Sequence, residues 1–243
     1  MQNLHFAIIL VYMLKLKSFL QKPSPISVDQ VVKNHKSTEL EVDKWQISDF
    51  VSNVLVPITK NRPFPLDEQM LMTSAVCLTS PDIIFDWGTH IGKSARVFYE
   101  ITKYFQIDCE IHSIDLPDEE DHVEHPGETR GQLVKNLHNV FLHQGDGVET
   151  AIKLHKQKKA KRALFYVDGD HSYESVYREL NIILKSIKNP TILLHDTFYQ
   201  SNDYGFNIGT NQAINDVVKK CGKKPKIIAT NLGLPGMTLL MFS

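Results

Sequence analysis

Short apolar runs alternate with helical stretches from about residue 83 onward, and this alternation limits the fold more than any other feature. Strands that alternate with helices of this length form parallel βαβ units in a doubly wound sheet. The last two runs are separated by only six residues, too few for a crossover helix, so we expect them to pair antiparallel. The sequence therefore predicts an α/β fold with a Rossmann-like, mostly parallel sheet of seven strands and an antiparallel last strand. The predicted strands are 83–85, 110–114, 140–143, 163–167, 191–194, 226–230 and 237–242.

Residues 1–65 precede this pattern and are predicted to form an N-terminal helical extension or lid on a catalytic domain of residues 66–243. Prolines interrupt the extension and leave helices over 28–36 and 43–60. Residues 1–20 are predicted to be a helix that docks on the domain or on a second copy of the chain, with a targeting segment as the alternative. Their apolar run is far shorter than the roughly 20 residues that cross a bilayer, so we expect no membrane span.

Charge and cysteine content exclude some classes of protein. The chain has 27 Lys and Arg against 28 Asp and Glu, a formal net charge of −1, which argues against nucleic acid as a partner. The lysine-rich stretch 155–162 carries no interleaved aromatics and is predicted to be a solvated face. Cys77, Cys109 and Cys221 match no zinc or redox motif, which favours core thiols in a reducing, cytoplasmic compartment.

Residues 86–94, Asp-Trp-Gly-Thr-His-Ile-Gly-Lys-Ser, follow the first predicted strand. A phosphate-binding P-loop needs four residues between its glycines and this stretch has three, so we regard the P-loop as the less favoured alternative. The glycines instead suit close approach of a ligand to the backbone, beside an acid at the strand tip. Asp115 ends the second strand, where an acid is placed to accept ribose hydroxyls. Asp146 follows the third strand, and with Glu149 it is equally consistent with a helix-capping pair.

The fourth and fifth strands end in the most polar stretches of the sequence. Asp168, Asp170 and His171 follow the fourth strand, and His195 and Asp196 end the fifth. Acids at adjacent strand tips suit Mg²⁺ or Ca²⁺, and imidazole would admit Mn²⁺ or a transition metal. Helix capping is the alternative for Asp170, and a structural histidine is the alternative for His171.

Together these motifs resemble the class I S-adenosylmethionine (SAM)-dependent methyltransferases. They are most similar to the small-molecule O-methyltransferases that carry an IDGDHSYE-type phrase and an HD-type phrase, which here read Val167–Glu174 and Leu194–Thr197. The resemblance spans about residues 66–243. It implies methyl transfer from SAM to an oxygen of a sugar, polyketide or phenolic compound, with or without a divalent metal such as Mg²⁺.

The resemblance also implies roles for individual residues. Implied catalytic residues are His171, Asp168 and His195, and implied metal ligands are Asp168, Asp196 and Asp170. The cofactor would contact Asp86, Gly88, Thr89, Gly92, Ser94, Asp115, Leu116, Asp146, Gly147 and Asp168. Thr197 stands where catechol-type relatives have Asn, which weakens the case for a catechol substrate.

Other interpretations stay open at this point. Loops 117–132 and 198–210 are predicted to cover the cofactor, with a plain surface loop as the alternative. A non-catalytic relative, or a cephalosporin-hydroxylase-like oxygenase that uses His171, His195 and Asp196, would share many of these residues.

Overall fold

A computed structural model of the protein describes residues 43–117, 128–199, 208–230 and 232–243. The strands are β1 (Ile83–Trp87), β2 (Glu110–Asp115), β3 (Val140–Gln144), β4 (Ala163–Val167), β5 (Thr191–His195), β6 (Lys226–Thr230) and β7 (Met237–Met241). The helices are α1 (Lys44–Phe50), α2 (Val56–Thr59), α3 (Leu66–Thr79), α4 (Lys93–Tyr104), α5 (Gly147–Lys158), α6 (Tyr173–Ser186) and α7 (Ile208–Lys220). A π-helical turn, Val51–Leu55, joins α1 to α2.

The seven strands form one sheet in the order β3-β2-β1-β4-β5-β7-β6. Strands β1 to β5 pair in parallel, and β7 runs antiparallel to both β5 and β6. The predicted fold class is therefore confirmed. Chain order reverses between β1 and β4, and in such sheets ligands bind outside the carboxyl ends of the strands at this switch point. We therefore expect a ligand site at the loops that follow β1, β4 and β5.

Each face of the sheet is covered by its own hydrophobic cluster. Successive strand residues point to opposite faces, so Ile84 and Tyr166 enter the first cluster while Phe85 and Phe165 enter the second. Helices α3 and α4 cover the first face, and α5, α6 and α7 cover the second. Helix α4 has a strongly amphipathic pattern, with Val97, Phe98 and Ile101 turned to the sheet.

The segment from Lys44 to Thr59 is part of the first cluster. Asp43 caps its start by accepting hydrogen bonds from the backbone N–H groups of residues 45 and 46. The predicted helix over 43–60 is confirmed, although its middle widens to a π-helical turn. The predicted helices within 1–20 and 28–36 lie outside the described residues.

The connection between α2 and α3 is fastened by the buried side chain of Gln69. Its Nε2 donates to the carbonyl oxygens of Lys60 and Phe64 at 2.8 and 2.9 Å. These bonds satisfy backbone acceptors in a turn that has no ladder of its own. The turn brings the Phe64 ring into the first cluster, where it lies edge-on to Tyr166 and to His195.

Cys77 and Cys109 are buried, and Cys221 is half-buried; none of the three forms a disulfide. Burial raises the pKa of the Cys77 thiol to about 12, so this sulfur behaves as a small apolar group. None of the helices in the described part of the chain combines the length and the apolar character needed to span a membrane.

Candidate functional site

The tips of β4 and β5 bring a histidine and two carboxylates together. Asp168 follows β4, His195 is the last residue of β5, and Asp196 follows it. His195 Nδ1 lies 3.0 Å from Asp168 Oδ1 and 3.2 Å from Asp196 Oδ2. One ligand atom from each residue falls within 4.8 Å of the others, which is the separation expected of groups that hold one metal ion. Two predicted metal ligands, Asp168 and Asp196, therefore meet with a predicted catalytic residue.

The charges of this cluster stabilise one another. Burial alone would raise the pKa of Asp168, but His195 and His171 outweigh burial and hold that pKa at about 2. Burial alone would lower the pKa of His195, but the neighbouring carboxylates raise it well above its usual value. Removal of one member would leave a buried charge without its counter-charge, which is strongly destabilising.

His171 stands at the open side of the cluster. Its Nδ1 lies 3.2 Å from Asp196 Oδ2 and its Nε2 lies 3.5 Å from Asp168 Oδ1. The ring is 29 % exposed, whereas the His195 ring is 4 % exposed. Burial lowers the pKa of His171, but the two carboxylates outweigh this and raise it. His171 is thus the more exposed of the two imidazoles in the cluster.

Asp170, a predicted metal ligand, lies outside the cluster. It is exposed, and its carboxylate accepts hydrogen bonds from the backbone N–H and the hydroxyl of Ser172 at 2.9 and 2.8 Å. Ser172 in turn caps α6. Of the two acids in the Asp-Gly-Asp turn, Asp168 joins the cluster and Asp170 orders the start of the helix.

Two buried hydroxyl groups flank the cluster. The Tyr166 hydroxyl donates to Asp168 Oδ2 at 3.0 Å and fixes the oxygen that His195 does not contact. The Thr197 hydroxyl accepts from the Thr238 hydroxyl at 2.8 Å. Thr197 is thus engaged with Thr238 of β7.

In the loop after β1, contacts within the protein itself leave no room for a Cβ at the glycines. Gly88 has φ +91°, and a Cβ there would lie 2.0 Å from the carbonyl oxygen of Asp168. Gly92 has φ +87°, and a Cβ there would lie 2.8 Å from the Val134 side chain. The sequence suggested close approach of a ligand; the structure shows that the closest approach is to the β4 tip. This contact joins the β1 loop to the acidic cluster.

Asp86 lies within β1 rather than beyond its end and is completely buried. Its Oδ2 accepts from the Ser113 hydroxyl at 2.8 Å, and that hydroxyl lies 2.8 Å from Thr89 Oγ1. Burial raises the pKa of Asp86 to about 7, and the carboxylates of Asp168 and Asp115 act in the same direction. A cation placed near this carboxyl would favour its ionised form. Ser94, another predicted cofactor residue, is buried in the first turn of α4.

Asp115 stands at the tip of β2, where the sequence placed it. Its Oδ2 accepts from the backbone N–H of His90 at 2.9 Å and pairs with Arg130 Nε at 3.1 Å. Its Oδ1 accepts from the Leu116 N–H at 2.8 Å. The carboxylate therefore connects the β1 loop, the β2 tip and the segment that begins at residue 128.

Asp146 has the capping role that the sequence allowed as an alternative. It accepts from the Glu149 N–H at 2.9 Å at the start of α5, and Arg178 Nη2 donates to its other oxygen at 2.8 Å. The residue after it, Gly147, lies so close to Trp87 that a Cβ would meet the indole at 2.5 Å. A position beside the adenine ring stays a prediction for this pair.

Glu68 is the residue at this site that sequence reasoning missed. It lies in the first turn of α3 and is 1 % exposed. Its Oε2 lies 3.1 Å from His195 Nε2, and its Oε1 accepts from the Gly236 N–H at 2.8 Å. An acid in a first helical turn is ordinarily explained by the helix dipole, so nothing in the sequence singles out this contact.

Residues 85–197 match the family model described as "Methyltransferase domain". The match begins within β1, includes β2 to β5 and ends one residue after Asp196. No curated protein matches the sequence.

Solved structures of methyltransferases share the fold. The SAH-bound methyltransferase PaMTH1 of Podospora anserina has a TM-score of 0.53 and 16 % identity, with 88 % of this chain and 98 % of that chain covered. The O-methyltransferase TomG of Streptomyces achromogenes, in complex with SAM, has a TM-score of 0.52 and 13 % identity, with coverage of 88 % and 92 %. The O-methyltransferase of Bacillus cereus, in complex with SAH, has a TM-score of 0.52 and 14 % identity, with coverage of 89 % and 95 %.

The family match and the shared fold confirm the resemblance to class I SAM-dependent methyltransferases.

Proposed function

We propose that this protein transfers the methyl group of SAM to a hydroxyl oxygen of a small molecule. The observation that carries the proposal is the cluster of Asp168, His195 and Asp196 at the tips of β4 and β5, directly beside the β1 loop at the switch point. In a methyltransferase fold, this arrangement places acid–base groups next to the position expected for the cofactor. The O-methyltransferases that share the fold support oxygen as the acceptor atom.

We assign the ribose of the cofactor to Asp115. We assign the methionine amino group of the cofactor to the neighbourhood of Asp86. Asp115 presents an ordered carboxylate at the β2 tip, where acids accept ribose hydroxyls in nucleotide-binding sheets. Asp86 is buried with a raised pKa, and the ammonium and sulfonium charges of SAM would compensate its ionised form. Gly88, Thr89, Gly92, Ser94, Leu116 and Gly147 are the further proposed cofactor residues.

Asp168, His195 and Asp196 fit a divalent cation such as Mg²⁺ or Mn²⁺. The set offers two carboxylate oxygens and one imidazole nitrogen from rigid strand ends, a mixture that Mn²⁺ accepts readily and Mg²⁺ accepts in part. A bound cation would lower the pKa of an acceptor hydroxyl that it contacts. His171 falls outside the set whose ligand atoms lie within 4.8 Å of one another, so the set has one imidazole and two carboxylates, whereas non-haem iron oxygenases use two imidazoles and one carboxylate. This composition favours the methyltransferase over the oxygenase alternative.

His171 is the proposed base for the acceptor hydroxyl. Its ring is the more exposed imidazole of the cluster; Asp196 faces Nδ1 at 3.2 Å, and Nε2, which has no hydrogen-bond partner among the described residues, is the nitrogen that would accept the proton. Proton removal by a positioned imidazole contributes typically 10²- to 10⁴-fold to a rate. Since the sulfonium is already activated, the remaining task of the protein is to align the acceptor oxygen with the methyl carbon.

Two broader expectations are part of the proposal. The free, buried thiols of Cys77 and Cys109 are consistent with a reducing, cytoplasmic location. Self-association through the N-terminal helices stays a prediction that gel filtration of the full chain would test.

The cofactor assignment is tested by thermal unfolding with S-adenosylhomocysteine (SAH). A ligand at about 100 times its Kd stabilises a folded protein by about 2.7 kcal/mol. At roughly 2–4 °C per kcal/mol for a chain of this size, the expected rise in Tm is on the order of 5–10 °C. Asp115→Ala should abolish most of this shift. Asp108→Ala is the matched control, because it removes an exposed acid just before β2, at the opposite end of the sheet.

The same measurement distinguishes the alternatives. Stabilisation by ATP instead of SAH, lost in Lys93→Ala, would favour a P-loop protein and contradict the proposal. A wild-type chain that millimolar SAH does not stabilise would contradict SAM-dependent catalysis. If SAH binds but EDTA and Mn²⁺ change neither stability nor methyl transfer, the transferase works without a metal and the cluster is an ion-pair network.

A further inference from the structure

Glu68 reaches the acidic cluster from a helix outside the family match of residues 85–197. Its two oxygens have different partners: Oε1 accepts from the Gly236 N–H, and Oε2 faces His195 Nε2. A carboxylate buried this deeply is costly unless hydrogen bonds and a counter-charge compensate it. Both forms of compensation are present, and one of them is the ring that faces Asp168 and Asp196.

The contact with Glu68 assigns the two nitrogens of His195. An ionised carboxylate only accepts hydrogen bonds, so in the metal-free ring both nitrogens carry hydrogen; a cation between Asp168 and Asp196 would displace the hydrogen on Nδ1 and leave the one on Nε2, toward Glu68. Nδ1 is turned to Asp168 Oδ1 at 3.0 Å and Asp196 Oδ2 at 3.2 Å. The Phe64 ring lies edge-on to the imidazole with centroids 5.0 Å apart, so the ring is also enclosed from the side.

We propose that Glu68 is the positioning residue of the cation site: it holds Nε2–H of His195 and so presents Nδ1 to a divalent cation between Asp168 and Asp196. Histidines that ligate metals commonly donate the other ring N–H to a carboxylate, which fixes the ring and its tautomer. This inference rests on the proposed function, since it takes the cluster to be a metal site. It goes further in giving α3, which precedes the family match, a part in metal binding.

The second contact of Glu68 ties this positioning to the β6–β7 turn. Gly236 precedes β7, and its carbonyl oxygen accepts from the Thr197 N–H at 3.1 Å. The backbone of residue 236 therefore contacts both Glu68 and the residue after Asp196. Loss of the Glu68 carboxylate would release the ring of His195 and loosen the turn that supports the Asp196 loop.

The test measures Mn²⁺ binding to the full chain by electron paramagnetic resonance, which detects the free ion and needs no turnover. Loss of an outer-shell partner typically weakens metal binding about 10- to 100-fold. We expect Glu68→Ala to weaken Mn²⁺ binding by about 10-fold or more. Glu68→Gln should weaken it less, because the amide oxygen can still accept from Nε2–H. Asp67→Asn is the matched control, since it removes the neighbouring, more exposed acid of the same helical turn.

A second readout separates positioning from a general loss of structure. In protein with ¹⁵N-labelled histidine and saturating Mg²⁺, a diamagnetic cation, the His195 nitrogens should show protonated Nε2 in the wild type and in Glu68→Gln, and an altered pattern in Glu68→Ala. SAH binding should be the same in all variants that fold, because its proposed residues lie elsewhere.

The outcomes are distinct. Equal Mn²⁺ affinity in wild type and Glu68→Ala, or unchanged His195 nitrogen signals in Glu68→Ala, would overturn the role of Glu68. A wild-type chain that binds SAH but no Mn²⁺ would overturn the metal site, and the role of Glu68 with it, while methyl transfer would stand. A chain that binds Mn²⁺ but no SAH would overturn the proposed transferase and leave the role of Glu68 in cation binding intact.

Discussion

At the scale of single residues, the position of the β1 loop depends on Gly88, because glycine has no Cβ. Gly88 has φ +91° and carries its Cα against the backbone of Asp168, where a Cβ would lie 2.0 Å from a carbonyl oxygen. That carbonyl belongs to the β4 tip, and backbone cannot move aside as a flexible side chain can. Gly88 therefore sets the distance between the proposed cofactor loop and the acidic cluster.

We predict that Gly88→Ala destabilises the protein by about 2–5 kcal/mol. Roughly 1–2 kcal/mol comes from a positive φ in a residue with a Cβ, and roughly 1–3 kcal/mol comes from overpacking. Gly222→Ala is the matched control, because Gly222 has φ +68° with nothing within 4 Å of the added Cβ. The control should lose only the first of the two contributions. Urea unfolding of the three proteins measures both values, and equal losses in the two variants would refute the packing argument.

At the scale of elements, β2 and the edge strand β3 are joined by a hydrogen bond between two histidines. His112 Nδ1 lies 2.8 Å from His143 Nε2, and His112 Nε2 lies 3.0 Å from Glu110 Oε2. Glu110 also pairs with Lys158 at 2.9 Å. His112 Nδ1 and His143 Nε2 share one hydrogen, so the hydrogen bond is lost when both rings are protonated.

The lowered pKa values of this histidine pair predict that the protein loses stability as the pH falls. Burial is the main cause that lowers the pKa of both His112 and His143 below 6.5. The unfolded chain therefore binds more protons than the folded chain in the window between the folded pKa values and about 6.5, so stability falls as pH falls through that window. Glu110 contributes its own loss only below its usual pKa, outside this window.

His143→Gln separates the pH dependence of stability that comes from the histidine pair from that of His171 and His195. The pKa values of His171 and His195 are raised, so their effect on stability as the pH falls has the opposite sign. The glutamine amide can donate to His112 Nδ1 but does not titrate. We expect the wild type to lose more stability than the variant between pH 7.5 and 5.5, as measured by urea unfolding at each pH. A wild type and variant with the same slope would show that the pair carries no pH dependence.

At the scale of the whole molecule, the sequence was sufficient for the sheet and for part of the site. The alternation of strands and helices predicted all seven strands, and parallel pairing of β4 with β5 necessarily brings Asp168 and Asp196 to one edge. It was not sufficient to choose between Asp168 and Asp170, since that depends on how the turn after β4 closes on Ser172. Nor did it reveal Glu68, whose role arises only when α3 packs beside β5 and β7.

The sequence predicted a boundary at residue 65 between an N-terminal extension and a catalytic domain. It did not show how the residues before this boundary pack. The side chains that enter the first cluster from before this point are each at most 2 % exposed: Ile47, Phe50, Val51, Leu55 and Phe64. They pack against α3 and α4 and, through the Phe64 ring, against β4 and β5. The segment 43–65 is therefore a layer of the core in the described structure.

We accordingly predict that a fragment of residues 66–243 does not fold on its own. Burial of a large apolar side chain stabilises by about 1.5–3 kcal/mol, so loss of these five removes roughly 8–15 kcal/mol. That amount equals the whole stability of a typical domain, about 5–15 kcal/mol. Far-UV circular dichroism and thermal melting should show no cooperative transition for residues 66–243, whereas a fragment of residues 43–243 should keep one. If residues 66–243 melt cooperatively at the midpoint of the longer fragment, the N-terminal layer is an appendage and the site, including Glu68, is complete without it.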